Sequence, residues 1–363
     1  MKKIKINIPG HPYNVYVGRN VFEQLVPKIH EGGLSKNALF VIDENVVGFH
    51  TKVLEKMDRT EFKKVSTLVI KATEPLKSRL TLEKIYKKLL DENFGRDSII
   101  VAIGGGITGD ISGYAAATFM RGIQYIQIPT TLLAAVDSSV GGKTGINFSN
   151  TKNIIGAFKQ PEFVLIDTDF FQTLPRREII CGIGEVMKYA YLTDKKLFDF
   201  ISNELDDLIG LKEKVVENVI IETVKFKGAV VEADEKETGL RKILNLGHTF
   251  AHAVEVDQKY KIKHGEAVVV GLACSLFLSR KLNLFTNQRL NEFLALPLQL
   301  KKKIRIKKYD LAKMIDTMSR DKKNRDNKIK FVLVKDIAQI IPDVEAGIGD
   351  VKYAVTEAIK LFQ

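Results

Sequence analysis

The sequence contains no tryptophan, two cysteines and nine prolines in 363 residues. The cysteines, Cys181 and Cys274, form no CxxC pair, so a disulfide framework is not expected and a reducing compartment is favoured. No apolar run reaches the roughly 18 residues that a membrane span needs, so no membrane partner is expected. Residues Met1–Ile8 alternate polar and apolar side chains and lack the apolar stretch of a signal peptide, which makes the expected location cytoplasmic. Acidic residues are in deficit: 44 Asp and Glu stand against 56 Lys and Arg, for a net charge of +12. Such an excess can serve nucleic acid, but the lysines are spread along helical faces and no aromatic–basic motif accompanies them. A nucleic-acid partner is therefore not expected. An anionic small substrate would use a local part of the charge. Internal repeats and low-complexity linkers are also missing.

The length suggests two domains. Strand and helix patterns alternate through the first half. Lys2–Ile8 and Tyr13–Val17 read as an opening strand pair, and Val21–His30 as a helix. Ala38–Ile42, Val65–Ile70, Ser98–Ile103, Ile123–Ile128 and Phe163–Ile166 read as strands. Leu80–Glu92 has helical spacing, with Leu82, Ile85, Leu89 and Leu90 on one side. This alternation predicts a parallel sheet covered by helices. Between residues 168 and 178 the texture changes to long helical stretches: Arg177–Leu192, Lys195–Ile209, Lys212–Glu232, Arg241–Val256 and Glu266–Leu282. Strand patterns return at Lys330–Val334 and Ala338–Ile341. The expected class is α/β followed by a mostly helical half, divided as residues 1–175 and 176–363. The basic run Lys301–Lys308 reads as a solvated face.

Chemistry concentrates in a few stretches. Strand Ile99–Ile103 runs into Gly104-Gly105-Gly106-Ile107-Thr108-Gly109-Asp110 and then an apolar helix. Glycines at a strand-to-helix turn let the backbone approach a ligand, and the helix N-terminus suits a pyrophosphate. Asp43 and Glu44 end an earlier strand where a ribose acceptor could sit. The segment Asp137–Asn147 gathers hydroxyls, an acid, Lys143 and three glycines, and reads as an anion-binding loop; its spacing fails the P-loop pattern. Lys152 and Asn153 follow. In Leu244–Glu255, His248 and His252 are four apart and share a helix face, and His264 follows in His264-Gly265-Glu266. The acid for a metal site is best sought at Glu185, three residues before Lys188. A carboxylate with two imidazoles and an open position is a catalytic zinc arrangement.

Seven blocks in order resemble the 3-dehydroquinate synthase family: residues 104–110, 116–122, 129–147, 152–158, 184–190, 240–255 and 264–271. The resemblance implies a Rossmann-like parallel-sheet NAD domain at 1–175 and a mostly helical metal- and substrate-binding domain at 176–363, with the active site in the cleft between them. It implies Glu185, His248 and His264 as ligands of Zn²⁺ or Co²⁺. NAD contacts are implied at Asp43, Glu74, Lys77, Gly105, Gly106, Asp110, Thr130 and Thr131. Asp137, Lys143 and Lys152 would join cofactor to substrate. Asn153, Lys188, Lys227, Arg241, Asn245 and His252 would form the substrate and phosphate set, with Lys322 or Lys323 adding a late contact. The implied substrate is a small phosphorylated sugar acid, and the implied assembly a homodimer. Gly184 stands where the family pattern has Ala. Read from sequence, that change loosens the helix by under about 1 kcal/mol. Two other readings keep the fold: a sibling sugar-phosphate cyclase with a different substrate pocket, and a metal-dependent polyol dehydrogenase, which would have no use for the lysine cluster.

Overall fold

The structure, a computed structural model, describes residues 1–55, 59–149, 151–320 and 329–363. The first strands and helices are β1 (Lys2–Ile6), β2 (Tyr13–Gly18), α1 (Leu25–Glu31), β3 (Asn37–Asp43), α2 (Glu44–Glu55), β4 (Lys64–Ile70) and α3 (Arg79–Asp91). Then come β5 (Ser98–Gly104), α4 (Gly106–Thr118), β6 (Gln124–Pro129), β7 (Lys143–Phe148), β8 (Thr151–Phe158) and β9 (Phe163–Asp167). They are followed by α5 (Arg176–Leu192), α6 (Lys195–Asn203), α7 (Leu205–Ile209), α8 (Glu213–Ala233), α9 (His248–Asp257) and α10 (His264–Lys281). The chain finishes with α11 (Asn287–Leu298), α12 (Leu311–Ser319), β10 (Lys330–Asp336), β11 (Gln339–Glu345) and α13 (Ile348–Lys360). Two compact units result: Met1–Ile179 with Leu211–Lys236, and Ile180–Gly210 with Glu237–Gln363.

The first unit is built on a seven-stranded sheet in the order β1-β2-β9-β6-β5-β3-β4. It is parallel except where β1 meets β2. β5 is buried along its whole length, which is why it reads as a continuous apolar run: a central strand covered on both faces has no solvent side to alternate with. Leu82, Ile85 and Leu89 of α3 and Ile111 and Ala115 of α4 pack over Leu39, Val41, Ile100 and Ala102 of the sheet. Leu90, expected on that same side, is 58% exposed. Parallel pairing brings the carboxyl ends of β3, β5 and β6 to one edge, with Gly104 opposite Pro129. Ligands of open parallel sheets sit at such an edge.

Segment 137–147 is not wholly a loop. A short π-helical turn covers Ala134–Ser138, and β7 then pairs antiparallel with β8 in a hairpin that packs on α4. Gly145 faces Gly156 across this hairpin, and a Cβ on Gly145 would lie 2.5 Å from the Ile155 carbonyl oxygen. Glycine there reports close strand contact, which a sequence pattern cannot separate from a flexible turn. Helix α8, placed by the sequence in the second half, belongs to the first unit, where it packs on β1 and β2.

The second unit surrounds α10, buried from Gly265 to Ser279 and in contact with α9, α11, α13 and β10. The helix expected at Arg241–Val256 is two elements. A 3₁₀ turn spans Leu240–Asn245, and α9 begins only at His248, because Gly247 adopts φ +79° and breaks the path. The stretch Lys195–Ile209 likewise divides into α6 and α7. Cations of the run 301–308 face outward around buried Ile304 and Ile306.

Candidate metal centre

Three helices of the second unit supply Glu185, His248 and His264, and each of these residues adjoins a glycine at a close backbone crossing. A Cβ on Gly184 of α5 would lie 2.5 Å from the carbonyl carbon of Gly265 and 2.8 Å from its Cα, and nearer still to the carbonyl oxygen. A Cβ on Gly265 would meet the backbone of Cys181, and one on Gly247 would lie 3.0 Å from Leu272 N. So α5 and the start of α9 both touch the backbone of α10. Glu185 follows Gly184, His248 follows Gly247 and His264 precedes Gly265, so the crossings bring the three side chains together. Position 184 has no room for a methyl. The glycine is therefore a packing requirement here, which reverses the expectation of a merely loosened helix.

One carboxylate oxygen and two imidazole nitrogens lie within 4.8 Å of one another. Glu185 Oε1 is 3.1 Å from His264 Nε2 and 3.4 Å from His248 Nε2. Each imidazole turns its Nδ1 to an acceptor: Leu246 O at 3.2 Å for His248, and Glu255 Oε2 at 3.4 Å for His264. This is how metal-ligating histidines are held, with the outer nitrogen fixed and the inner lone pair available. The donor set suits a borderline divalent ion such as Zn²⁺ or Co²⁺. Glu185 Oε2 pairs with Lys188 Nζ at 2.6 Å, and both side chains are buried.

The three donors differ in protonation, and His264 must give up a proton to ligate. Burial would raise the Glu185 pKa, but the Lys188 ammonium and the two imidazoles outweigh it and hold the carboxyl well below its ordinary value. Burial lowers His248 to about 4, so its ring is neutral. Burial also pulls His264 down, but hydrogen bonds to Glu185 and Glu255 dominate and raise it to about 10. His252 is exposed, its ring 5.8 Å from that of His248 and 6.2 Å from that of His264, and it is not one of the three clustered donors. The HxxxH spacing alone pairs His248 with His252, whereas the structure clusters His248 with Glu185 and His264. Arg241 is buried in the 3₁₀ turn, and Asn245 Nδ2 donates to Glu237 Oε1 at 2.6 Å. Glu255 was not singled out by sequence, although it stands seven residues after His248, two turns on along the same face.

The first unit gathers a second set at the carboxyl edge of its sheet. Gly105 caps α4, and Thr130 N donates to Gly104 O at 2.9 Å. A Cβ on Gly105 would press on Thr131 at 3.1 Å. Buried Lys77 donates to Asp110 Oδ2, and also to Asn153 Oδ1 at 2.5 Å. Burial raises the Asp110 pKa, with Lys77 opposing. Asn147, which the sequence did not single out, donates to Glu74 Oε1 at 2.8 Å and accepts from Asn153 N at 2.9 Å. Lys227 Nζ reaches Asp137 twice, at the carbonyl oxygen (2.7 Å) and at Oδ1 (3.0 Å). Asp137 therefore pairs with Lys227 of α8, a partner 90 residues away. Asp43, at the end of β3, is engaged by Asn45. Lys143 opens β7 and Lys152 lies in β8. Lys322 and Lys323 fall outside the described residues.

Residues 67–181 match the family model for the 3-dehydroquinate synthase N-terminal region, and residues 182–324 match that for its C-terminal region. The chain belongs to the 3-dehydroquinate synthase family. A 3-dehydroquinate synthase of Pelagibacter ubique (strain HTCC1062) is 40% identical over 346 residues, which cover 92% of each chain. Among solved structures, 2-epi-5-epi-valiolone synthase from Streptomyces hygroscopicus subsp. jinggangensis 5008, with NAD⁺ and Zn²⁺ bound, is 26% identical. It aligns at a TM-score of 0.86, covering 96% of this chain and 97% of that one. A 2-deoxy-scyllo-inosose synthase complexed with carbaglucose-6-phosphate, NAD⁺ and Co²⁺ aligns at 0.87 over 98% of this chain and all of that one; at 24% identity it speaks for the fold alone. Within the 3-dehydroquinate synthase family frame, the junction of the two matched regions falls inside α5, three residues before Glu185.

Proposed function

We propose that the chain is a 3-dehydroquinate synthase, converting 3-deoxy-D-arabino-heptulosonate 7-phosphate to 3-dehydroquinate and phosphate in the shikimate pathway to aromatic amino acids. The observation that carries this reading is the Glu185–His248–His264 cluster with the buried cations Lys188 and Arg241 in the same unit of a chain of this family. When bound, NAD supplies a reversible hydride acceptor and the divalent ion, Zn²⁺ or Co²⁺, polarises substrate oxygens. Glu185, His248 and His264 hold the ion. Gly105, Gly106 and Asp110, with Thr130 and Thr131, hold the dinucleotide at the α4 N-terminus, where free N–H groups suit a pyrophosphate.

The substrate's C5 alcohol is oxidised, which acidifies the C6 proton; phosphate then leaves by β-elimination. The ketone is reduced again, the ring opens, and an intramolecular aldol closes the carbocycle. In this reading Lys143 positions the alcohol, and Lys152, Asn153 and Lys227 bind phosphate. Arg241 grips the carboxylate through two parallel hydrogen bonds, with Asn245 beside it. Lys188 pairs with Glu185 at 2.6 Å with both side chains buried, where a charge interaction is little screened. His252 handles a proton, a role supported by its exposure and its separation from the ligand cluster. The reading also makes the enzyme a cytoplasmic homodimer with no nucleic-acid partner. Among the described residues no helix is long and apolar enough to cross a membrane. Light scattering tests the dimer.

The deciding experiment follows phosphate release from 3-deoxy-D-arabino-heptulosonate 7-phosphate with trace NAD⁺, with and without chelator, and identifies the organic product. Stoichiometric phosphate and dehydroquinate, abolished by chelator and restored by Zn²⁺ or Co²⁺, is the expected result. Release from glucose 6-phosphate or sedoheptulose 7-phosphate instead makes the chain a sibling cyclase. Net NADH from a simple polyol makes it a dehydrogenase.

A further inference from the structure

The strands β4, β3, β5 and β6 begin at the edge of the sheet opposite to Asp43, Gly105 and Thr130. Asn37 aligns with Lys64 and Ser98, and Ile99 with Gln124. An open cavity of about 450 Å³ lies at this amino-terminal edge, lined by Ser35, Lys36, Asn37, Lys63, Arg96, Asp97 and Gln124. Its volume is in the range of small-molecule pockets.

The frame of the cavity is hydrogen-bonded. Ser35 N donates to Gln124 Oε1 at 2.8 Å, and the Ser35 hydroxyl donates to the Asp97 carbonyl. Asn37 Nδ2 donates to Asp97 Oδ2 at 2.5 Å. Lys63 N donates to Lys36 O at 3.0 Å. Three loops, those leading into β3, β4 and β5, are thereby tied to one another and to the first residue of β6.

The charged ends of the cationic side chains take no part in that frame. Among the described residues, Lys36, Lys63 and Arg96 have no acidic partner, and the Gln124 side-chain amide nitrogen has no acceptor. Asp97 is the one carboxylate in the lining, and Asn37 engages it. Helix dipoles do not account for the charges. The three cations follow helices that end at Glu31, Glu55 and Asp91, but they lie beyond the last turn, where a dipole's influence has faded.

We propose that this cavity binds a small, multiply charged oxyanion of the pyrophosphate or phosphate-ester class. Lys36 and Lys63 provide point charges, Arg96 a planar fork, and Gln124 an N–H₂ donor. No aromatic side chain lines the cavity, so a base has nothing to stack on and recognition falls on the phosphates. Bound there, the anion bridges the three loops and stabilises the first unit by mass action.

The test is calorimetric titration of the full chain with inorganic pyrophosphate in saturating NAD⁺, so that the opposite edge of the sheet is already filled. One saturable site per chain is expected, and it should remain in Lys152→Ala, where a phosphate contact of the proposed active site is lost. Affinity should fall at least tenfold in the exposed double variant Lys36→Ala/Arg96→Ala, and also in Lys63→Gln alone. It should be unchanged in Lys302→Ala/Lys303→Ala, which removes the same charge from another surface. The melting temperature should rise with pyrophosphate in the wild type and in the Lys302/Lys303 variant only. Absence of binding overturns the proposal. So does binding that both double variants weaken equally, which is charge without a site, or binding that neither pocket variant weakens.

Discussion

Replacing Gly184 by alanine sets two effects of known size against each other. In an exposed helix the change would stabilise by up to about 1 kcal/mol, because glycine loses more backbone freedom on folding. Here the new methyl would stand 2.5 Å from the Gly265 carbonyl carbon, where ordinary contact begins at 3.4 Å. The obstructing atoms are backbone of the first turn of α10, so no rotamer change relieves them. Helices α5 and α10 must separate by about 1 Å, and overpacking of this kind costs about 1–3 kcal/mol. Net destabilisation should lie between zero and about 2 kcal/mol. The sharper effect falls on the metal. His264 adjoins Gly265 and Glu185 adjoins Gly184, so the same separation lengthens the 3.1 Å approach of Glu185 Oε1 to His264 Nε2. Affinity for Co²⁺, measured against a competing chelator, should weaken at least tenfold, about 1.4 kcal/mol. If the variant instead holds Co²⁺ as tightly as the wild type and melts about 2–4 °C higher, as an unobstructed glycine-to-alanine change would, the backbone crossing does not set the ligand geometry.

His264→Ala should abolish both metal content and turnover while NAD binding to the first unit survives; a variant with full metal, by elemental analysis, refutes its role as ligand. Glu255→Gln removes the carboxylate behind His264 and should weaken metal binding by about tenfold to a hundredfold, seen in the same chelator competition. Because His264 is raised to about 10 without metal, it carries a proton at neutral pH that ligation must expel. Apparent metal affinity should therefore rise about tenfold per pH unit from pH 6 to 8; a flat profile would mean that His264 is already neutral. Lys77→Met leaves Asp110 half-buried without its cation, and urea unfolding should show a loss of about 3 kcal/mol, with no loss if water replaces the ammonium.

The parallel sheet was legible because central strands buried on both faces leave unbroken apolar runs, as in Ile99–Ile103, and because α3 keeps its 3.6-residue spacing. The clustered donors Glu185, His248 and His264 were legible as residue types in motifs that resemble one family; local spacing alone offered His252 as readily as His264. Harder to read were elements whose cause is a neighbour. In the β7–β8 hairpin Gly145 and Gly156 meet with no room for a Cβ, and at the break before His248 Gly247 turns against α10. In one dimension these glycines look like turns.

Composition, periodicity and motif order were enough for the class, the succession of most strands and helices, and the chemistry of the donor set, because each is a property of neighbours along the chain. The partners were not. That Asp137 pairs with Lys227, that Glu255 stands behind His264, that α8 joins the first unit, and that Gly184 cannot carry a methyl all depend on contacts between segments far apart in sequence. Side chains and backbones in such contacts are selected by distance in space, which spacing along the chain does not encode.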